Sequence, residues 1–304
     1  MGRRKKKGRG KRIGSAGLVL GVWLGLFLYN WTYESADTAY IGPDVAYREI
    51  AELVGLRQVS EPKLELLSQQ TGCSVSVVEQ LLEQGRGEVL LEIQAAYFSP
   101  IEIRSIRSTP FTISEQVVDA PGRGMDFADI RDGDILITKN SRFLGWRNGH
   151  AGLVVDAKQG LVLEAVMLGT DTRCCSIEHW AQYPSVMVLR LREEFEKTEG
   201  SENTAQYQAK LAADYALEAL TDVPYCLWAG VKDKLFSQLK AWGGVWTEGM
   251  QEPLELKGTQ CAHLVWYAYK QAGIDLDSDG GLLVTPEDLR KSPYLEVIQS
   301  YGYE

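Results

Sequence analysis

Short catalytic signatures are scarce in this chain. It has no G-x-x-x-x-G-K-[ST] loop, no G-x-S-x-G and no H-E-x-x-H. A P-loop nucleotide site, a serine nucleophile elbow and a helical zinc-protease motif are thereby excluded. Cysteine is sparse, five in 304 residues, too few for a disulfide scaffold in a chain long enough to bury a core without staples. The five are Cys73, Cys174, Cys175, Cys226 and Cys261. Their odd number fits one free thiol with two bridges, and five reduced thiols fit equally well. Cys174 and Cys175 are neighbours, so disulfide geometry keeps them from bridging each other. At 45% the hydrophobic content is too low for a polytopic membrane protein.

Acid is missing from residues 1–12, which carry eight Lys/Arg. The remainder therefore holds a net −17, the −9 of the whole chain less the +8 of the tail. A body that acidic makes a poor nucleic-acid binder. Charge of either sign is missing from the next 19 residues, IGSAGLVLGVWLGLFLYNW (13–31). That run is long enough to cross a hydrocarbon core as a helix. Trp31 and Tyr33 supply an aromatic belt at its far end, and the positive-inside rule puts residues 1–12 in the cytoplasm. SADTA (35–39) is a poor cleavage site, which favours an uncleaved anchor over a signal peptide. The expected topology is a single-pass cell-membrane protein with its main domain outside the cytoplasm. Gly17, Gly21 and Gly25 recur every four residues, a spacing that suits helix-mediated self-association and also the ordinary abundance of glycine in membrane helices.

Beyond a linker over 34–48, REIAELVGL (48–56) and PKLELLSQQTGCSVSVVEQLLEQG (62–85) carry apolar residues at helical spacing, broken by Gly72. Helix is expected to continue into 87–108 and to stop near Pro100. This hairpin is a helical module packed on the main domain or holding it off the membrane. It is not a DNA reader, since the topology keeps it from DNA. The period changes from about 109. DIRDGDILITKN (129–140) reads as turn then strand, and HAGLVVDAKQGLVLEAV (150–166) as a hairpin turning at 158–160. SVMVLRL (185–191) is another strand. TAQYQAKLAADYALEAL (204–220) is a helix, 226–258 an irregular loop, and Cys261 to Ala272 a helix ended by Gly273. The fold class is α+β with an antiparallel sheet. Its divisions are a basic tail (1–12), a transmembrane helix (13–33), a linker and helical module (34–108) and a main domain (109–304).

Cys261 stands where a helix begins, near unpaired backbone N–H groups and the positive end of the dipole, a setting that favours thiolate. It shares a face with Leu264 or Val265, Ala268 and Ala272, so the thiol faces the packed interior. His150 heads an apolar strand upstream. A cysteine and a histidine far apart in sequence are the raw material of a thiol hydrolase. His263, two positions past Cys261, points away from it and reads as structural. His179 with Cys174 and Cys175 lacks a distant matching pair of ligands, so no metal site is read there. No cofactor is expected.

The stretch ALEALTDVPYCLWAG…TQCAHLVWYAYKQAGIDL is similar to the first half of an NlpC/P60 domain, matching at Pro224, Tyr225, Cys261, Ala262, Leu264 and Val265. GDILIT (133–138), GHAGLVVD (149–156) and LVLEA (161–165) resemble its second half, yet they precede the cysteine. This order resembles the circularly permuted, YiiX/YebB-like branch of the papain-like hydrolases, over roughly residues 125–295. The resemblance implies Cys261 as nucleophile, His150 as base and Glu164 as third member. Tyr225 and Gln260 are candidates for holding the oxyanion or the substrate. The implied substrate is an amide bond in cell-wall peptide, with a lipid amide or ester as the alternative and an inactive wall-binding scaffold as the non-enzymatic one. Trp228, Trp242 and Trp246 either line an acyl site or belong to the core. Whether His150 and Glu164 share a sheet face depends on a register the sequence leaves open.

Overall fold

A computed structural model describes residues 17–25, 27–28, 38–39, 43–56, 59–99, 102–109, 112–118, 126–143, 146–193, 204–231 and 256–302. The first labelled element is a short strand, β1 (Thr38–Ala39). Four helices follow: α1 (Ala51–Val54), α2 (Glu61–Thr71), α3 (Val75–Glu83) and α4 (Gly87–Phe98). Then come β2 (Glu102–Thr109), β3 (Thr112–Val118), β4 (Ile135–Thr138), β5 (Ser141–Phe143), β6 (Trp146–Arg147), β7 (His150–Asp156), β8 (Leu161–Glu164) and β9 (Arg173–Ser176). The chain continues through α5 (Ile177–Trp180), β10 (Val186–Leu191), α6 (Ala205–Ala219), α7 (Cys261–Gln271), α8 (Pro286–Arg290) and β11 (Leu295–Tyr301). The class is α+β, with two antiparallel sheets.

The larger sheet runs β11-β10-β4-β7-β8-β9. Its central strands are continuous apolar runs because helices cover both faces. On one face Ile135, Ile137, Leu153, Leu163 and Leu189 pack against α6 and α7. Ala209, Ala212 and Ala216 on α6 keep that helix close, and Leu264, Val265 and Ala268 of α7 fill the rest. On the other face Leu136, Val154, Val162 and Val188 share a core with Leu67, Val78, Leu81, Leu90 and Ile93 of α2, α3 and α4. The helical module therefore forms a third layer of the same core. Each such leucine or valine contributes about 1.5–3 kcal/mol through burial.

Two segments differ from the sequence-based expectation. Helix α4 stops at Phe98, and residues 102–109 form β2, paired with β3 in a ribbon. That ribbon joins the smaller sheet, β1-β2-β3-β5-β6, so residues 38–39 within the expected linker also pair, with 102–103. Among its described side chains only Ile113 is deeply buried, and Ile106 is exposed. A ribbon with so little buried face gives no clean period of two.

The expected membrane span falls partly outside the described residues. Within it, 17–25 and 27–28 are helical, and Leu18, Leu20 and Trp23 are exposed. Among the described residues no helix is long and apolar enough to cross a membrane.

Candidate active site

Helix α7 is fixed before its first residue. Gln260 is its N-cap, in extended backbone, and its Oε1 accepts from the Ala262 N–H at 3.2 Å. The same oxygen lies 3.3 Å from the Cys261 Sγ, which donates to it. Gln260 Nε2 donates to the Val284 carbonyl at 2.6 Å, tying the cap to the segment before α8. Farther along, Tyr269 donates its hydroxyl to the Gly133 carbonyl at 2.5 Å, pinning α7 to the turn that starts β4. Cys261 is 8% exposed, so its thiol sits at the packed edge of the core rather than in open solvent. As the first helical residue it has an N–H with no intrahelical acceptor.

His150 is the first residue of β7 and pairs with Thr138 of β4. Gly149 before it has φ +68, and a Cβ there would lie 2.4 Å from the Thr138 carbonyl oxygen. Only glycine accepts both the left-handed backbone and the close approach. The Gly-His pair thus has a mechanical reason: the glycine swings the chain from β6 into β7 and delivers the imidazole to the end of the sheet.

The register between β7 and β8 decides the next contact. Leu161 pairs with Asp156, but a bulge between Val154 and Asp156 shifts the ladder by one, so Glu164 pairs with Gly152. Without that bulge Glu164 would oppose Leu153 and point to the other face. With it, Glu164 shares a face with His150, two residues from its direct partner. Glu164 Oε2 lies 3.0 Å from His150 Nε2, and the Cys261 thiol is near enough to the same imidazole to favour its protonated form. The thiol comes from the helical layer opposite and meets the imidazole at the sheet end. Trp180 stacks on the His150 ring, with centroids 5.2 Å apart and planes 13° apart. Gly152 makes room for that indole, since a Cβ there would sit 2.6 Å from Trp180 Cζ2.

Burial opposes charge on His150, but the hydrogen bonds and charges of Cys261 and Glu164 outweigh it and push the imidazole up to about 10. Burial likewise opposes charge on Glu164, and the bond from His150 outweighs it, holding the carboxyl below its usual range. The pair is therefore imidazolium and carboxylate at neutral pH. Tyr225 is pushed up by burial first, then by the nearby charge of Cys261, so its phenol keeps its proton. The Pro-Tyr segment is held by short bridges, Asp171 to Pro224 and Tyr225 to Thr259, which set Tyr225 beside the start of α7.

Cys261, His150 and Glu164 thus come together, and Tyr225 and Gln260 flank them. Gln260 serves as a cap and orients the thiol. His263 is fully buried, bonded to Thr259 Oγ1 at 2.9 Å and packed by Trp266 and Tyr267. His179 bonds Tyr183 at 3.2 Å, while Cys174 and Cys175 pack on opposite faces of β9. These three do not converge on a metal site. All five cysteines are free thiols. Trp228 is exposed, while Trp242 and Trp246 lie outside the described residues. A cavity of about 330 Å³ lies elsewhere, between α3, α6 and the sheet edge; its Arg131 and Arg190 are bound to Asp129 and Asp134. Trp180 and Cys175 were not singled out from sequence beside the triad. A signal exists in the alternation along β9, but it becomes readable only once β9 is registered against β8.

No family model matches this chain, and neither does any curated protein or solved structure.

Proposed function

We propose that this chain is a thiol hydrolase of the circularly permuted NlpC/P60 kind, cleaving an amide bond in cell-wall peptide through a thioester on Cys261. The observation that carries the reading is one continuous contact chain. A thiol at a helix start stands beside a histidine whose Nε2 lies 3.0 Å from a buried glutamate. His150 holds the thiol proton as imidazolium in the resting site, and the thiolate–imidazolium pair rests on Glu164. The thiolate sulfur bonds to the carbonyl carbon, and the oxyanion draws on the Cys261 N–H, with the Tyr225 hydroxyl beside it. His150 then protonates the departing amine as the C–N bond breaks. Water, deprotonated by the same imidazole, releases the acid and restores the thiol.

The uncharged run over 13–31 would hold the catalytic domain against the outer face of a membrane, with residues 1–12 in the cytoplasm. Exposed Leu168 and Trp228, on the loops joined to the Tyr225 segment, favour a second reading, a lipid amide or ester as substrate. Purified muropeptides on one side, and phospholipid and N-acyl substrates on the other, incubated with the full chain and read by mass spectrometry, separate the two. Product from muropeptides that disappears in Cys261→Ala supports the first reading. Cleavage that survives Cys261→Ala overturns the nucleophile.

A further inference from the structure

Strand β8 lies between β7 and β9, so Glu164 has a neighbour on each side. It pairs with Gly152 on β7 and with Arg173 on β9. Two residues from each partner, on the same sheet face, stand His150 and Cys175, both diagonal to Glu164 and within reach of a long side chain. Glu164 is 1% exposed, and a buried carboxylate needs donors for both oxygens. His150 serves Oε2. The Cys175 thiol is near enough to the same carboxylate, and to the Trp180 side chain, to interact with each.

We propose that Cys175 is a positioning residue of the triad, its S–H donating to Glu164 and holding that carboxylate against His150. This rests on the hydrolase reading above. Burial, then the charge of Glu164, pushes the Cys175 thiol up to about 12. The thiol therefore stays a neutral donor over the working range and never competes with Cys261 as a nucleophile. His150 on one diagonal and Cys175 on the other leave the carboxylate a single orientation. Hydrogen-bonded partners behind a reacting group usually matter in this way.

The test needs no substrate. The rate of Cys261 alkylation by iodoacetamide at pH 6, resolved by peptide mass spectrometry, is compared in the full-length wild type, Cys175→Ala and Cys175→Ser. Loss of the donor in Cys175→Ala is expected to slow Cys261 alkylation roughly tenfold, with Cys175→Ser, which keeps a donor, within about threefold of wild type. Alkylation unchanged in Cys175→Ala, or equally slowed in Cys175→Ser, overturns the proposal, the second outcome assigning Cys175 to packing alone. A wild-type Cys261 no more reactive than a free cysteine overturns the hydrolase reading itself, and this proposal with it. Melting temperatures of the two variants show whether any slowing comes from lost structure.

Discussion

The imidazole of His150 stands between two partners of opposite kinds, a thiol and a buried carboxylate. Its proton is held up to about 10 against the cost of burial by Cys261 and Glu164 together. As pH rises through that value the imidazolium is lost, and with it the acid that protonates the leaving amine, so turnover should fall there. Glu164 is held below the usual carboxylate range, so acid inactivation through this group should come only at a pH below that at which an ordinary glutamate titrates. In Glu164→Gln the shape is kept but the anion is gone. Turnover should drop roughly 10³-fold, and the alkaline limb of the kcat/KM profile should move to lower pH. An unmoved limb would mean that Glu164 does not hold the His150 proton.

At the scale of elements, two backbone devices assemble the site: the left-handed Gly149 that opens β7 and the bulge near Val155 that re-registers β8. Gly149→Ala should destabilise the fold by about 1–3 kcal/mol, from the strained backbone alone. The added clash with the Thr138 carbonyl should also shift His150 and cost more activity than stability. Urea unfolding and turnover measured on one preparation check both. The sequence revealed elements with strong periodicity: the apolar runs of β4, β7, β8 and β10, and the helices α6 and α7 with their stripes of alanine, leucine and valine. Cys261, His150 and Glu164 were legible as residues because each sits at the end of such an element. Their meeting was not, because a single extra residue in β7 decides which face Glu164 takes. The β2–β3 ribbon escaped for another reason. Ile103, Ile106, Thr112, Ile113 and Val117 have the β-branched character of strands, but Ile106 is exposed and the ribbon buries too little to alternate. The role of Gln260 as a cap was hidden as well, since glutamine is not among the residues that usually mark an N-cap.

For the whole molecule, the central sheet is covered on one face by α6 and α7, which carry the thiol, and on the other by α2, α3 and α4. His150 and Glu164 point to the second face, so the helical module packs on the sheet face that carries two of these three residues. Leu67 is fully buried in that layer. Leu67→Ala should cost about 2–5 kcal/mol and lower one shared unfolding midpoint, seen alike by far-ultraviolet and near-ultraviolet circular dichroism. Two separate transitions, with only one moved, would show that the module folds apart from the sheet. The exposed apolar residues of 17–25 lie outside both cores, which suits a segment whose partner is lipid.

The most direct test compares alkylation of Cys261 at pH 6 in the wild type and in His150→Ala, resolved by peptide mass spectrometry. A thiolate–imidazolium pair predicts that wild-type Cys261 reacts far faster than free cysteine at that pH and that His150→Ala brings it down to the free-cysteine rate. Equal, slow reaction in both would contradict the pair and, with it, the hydrolase.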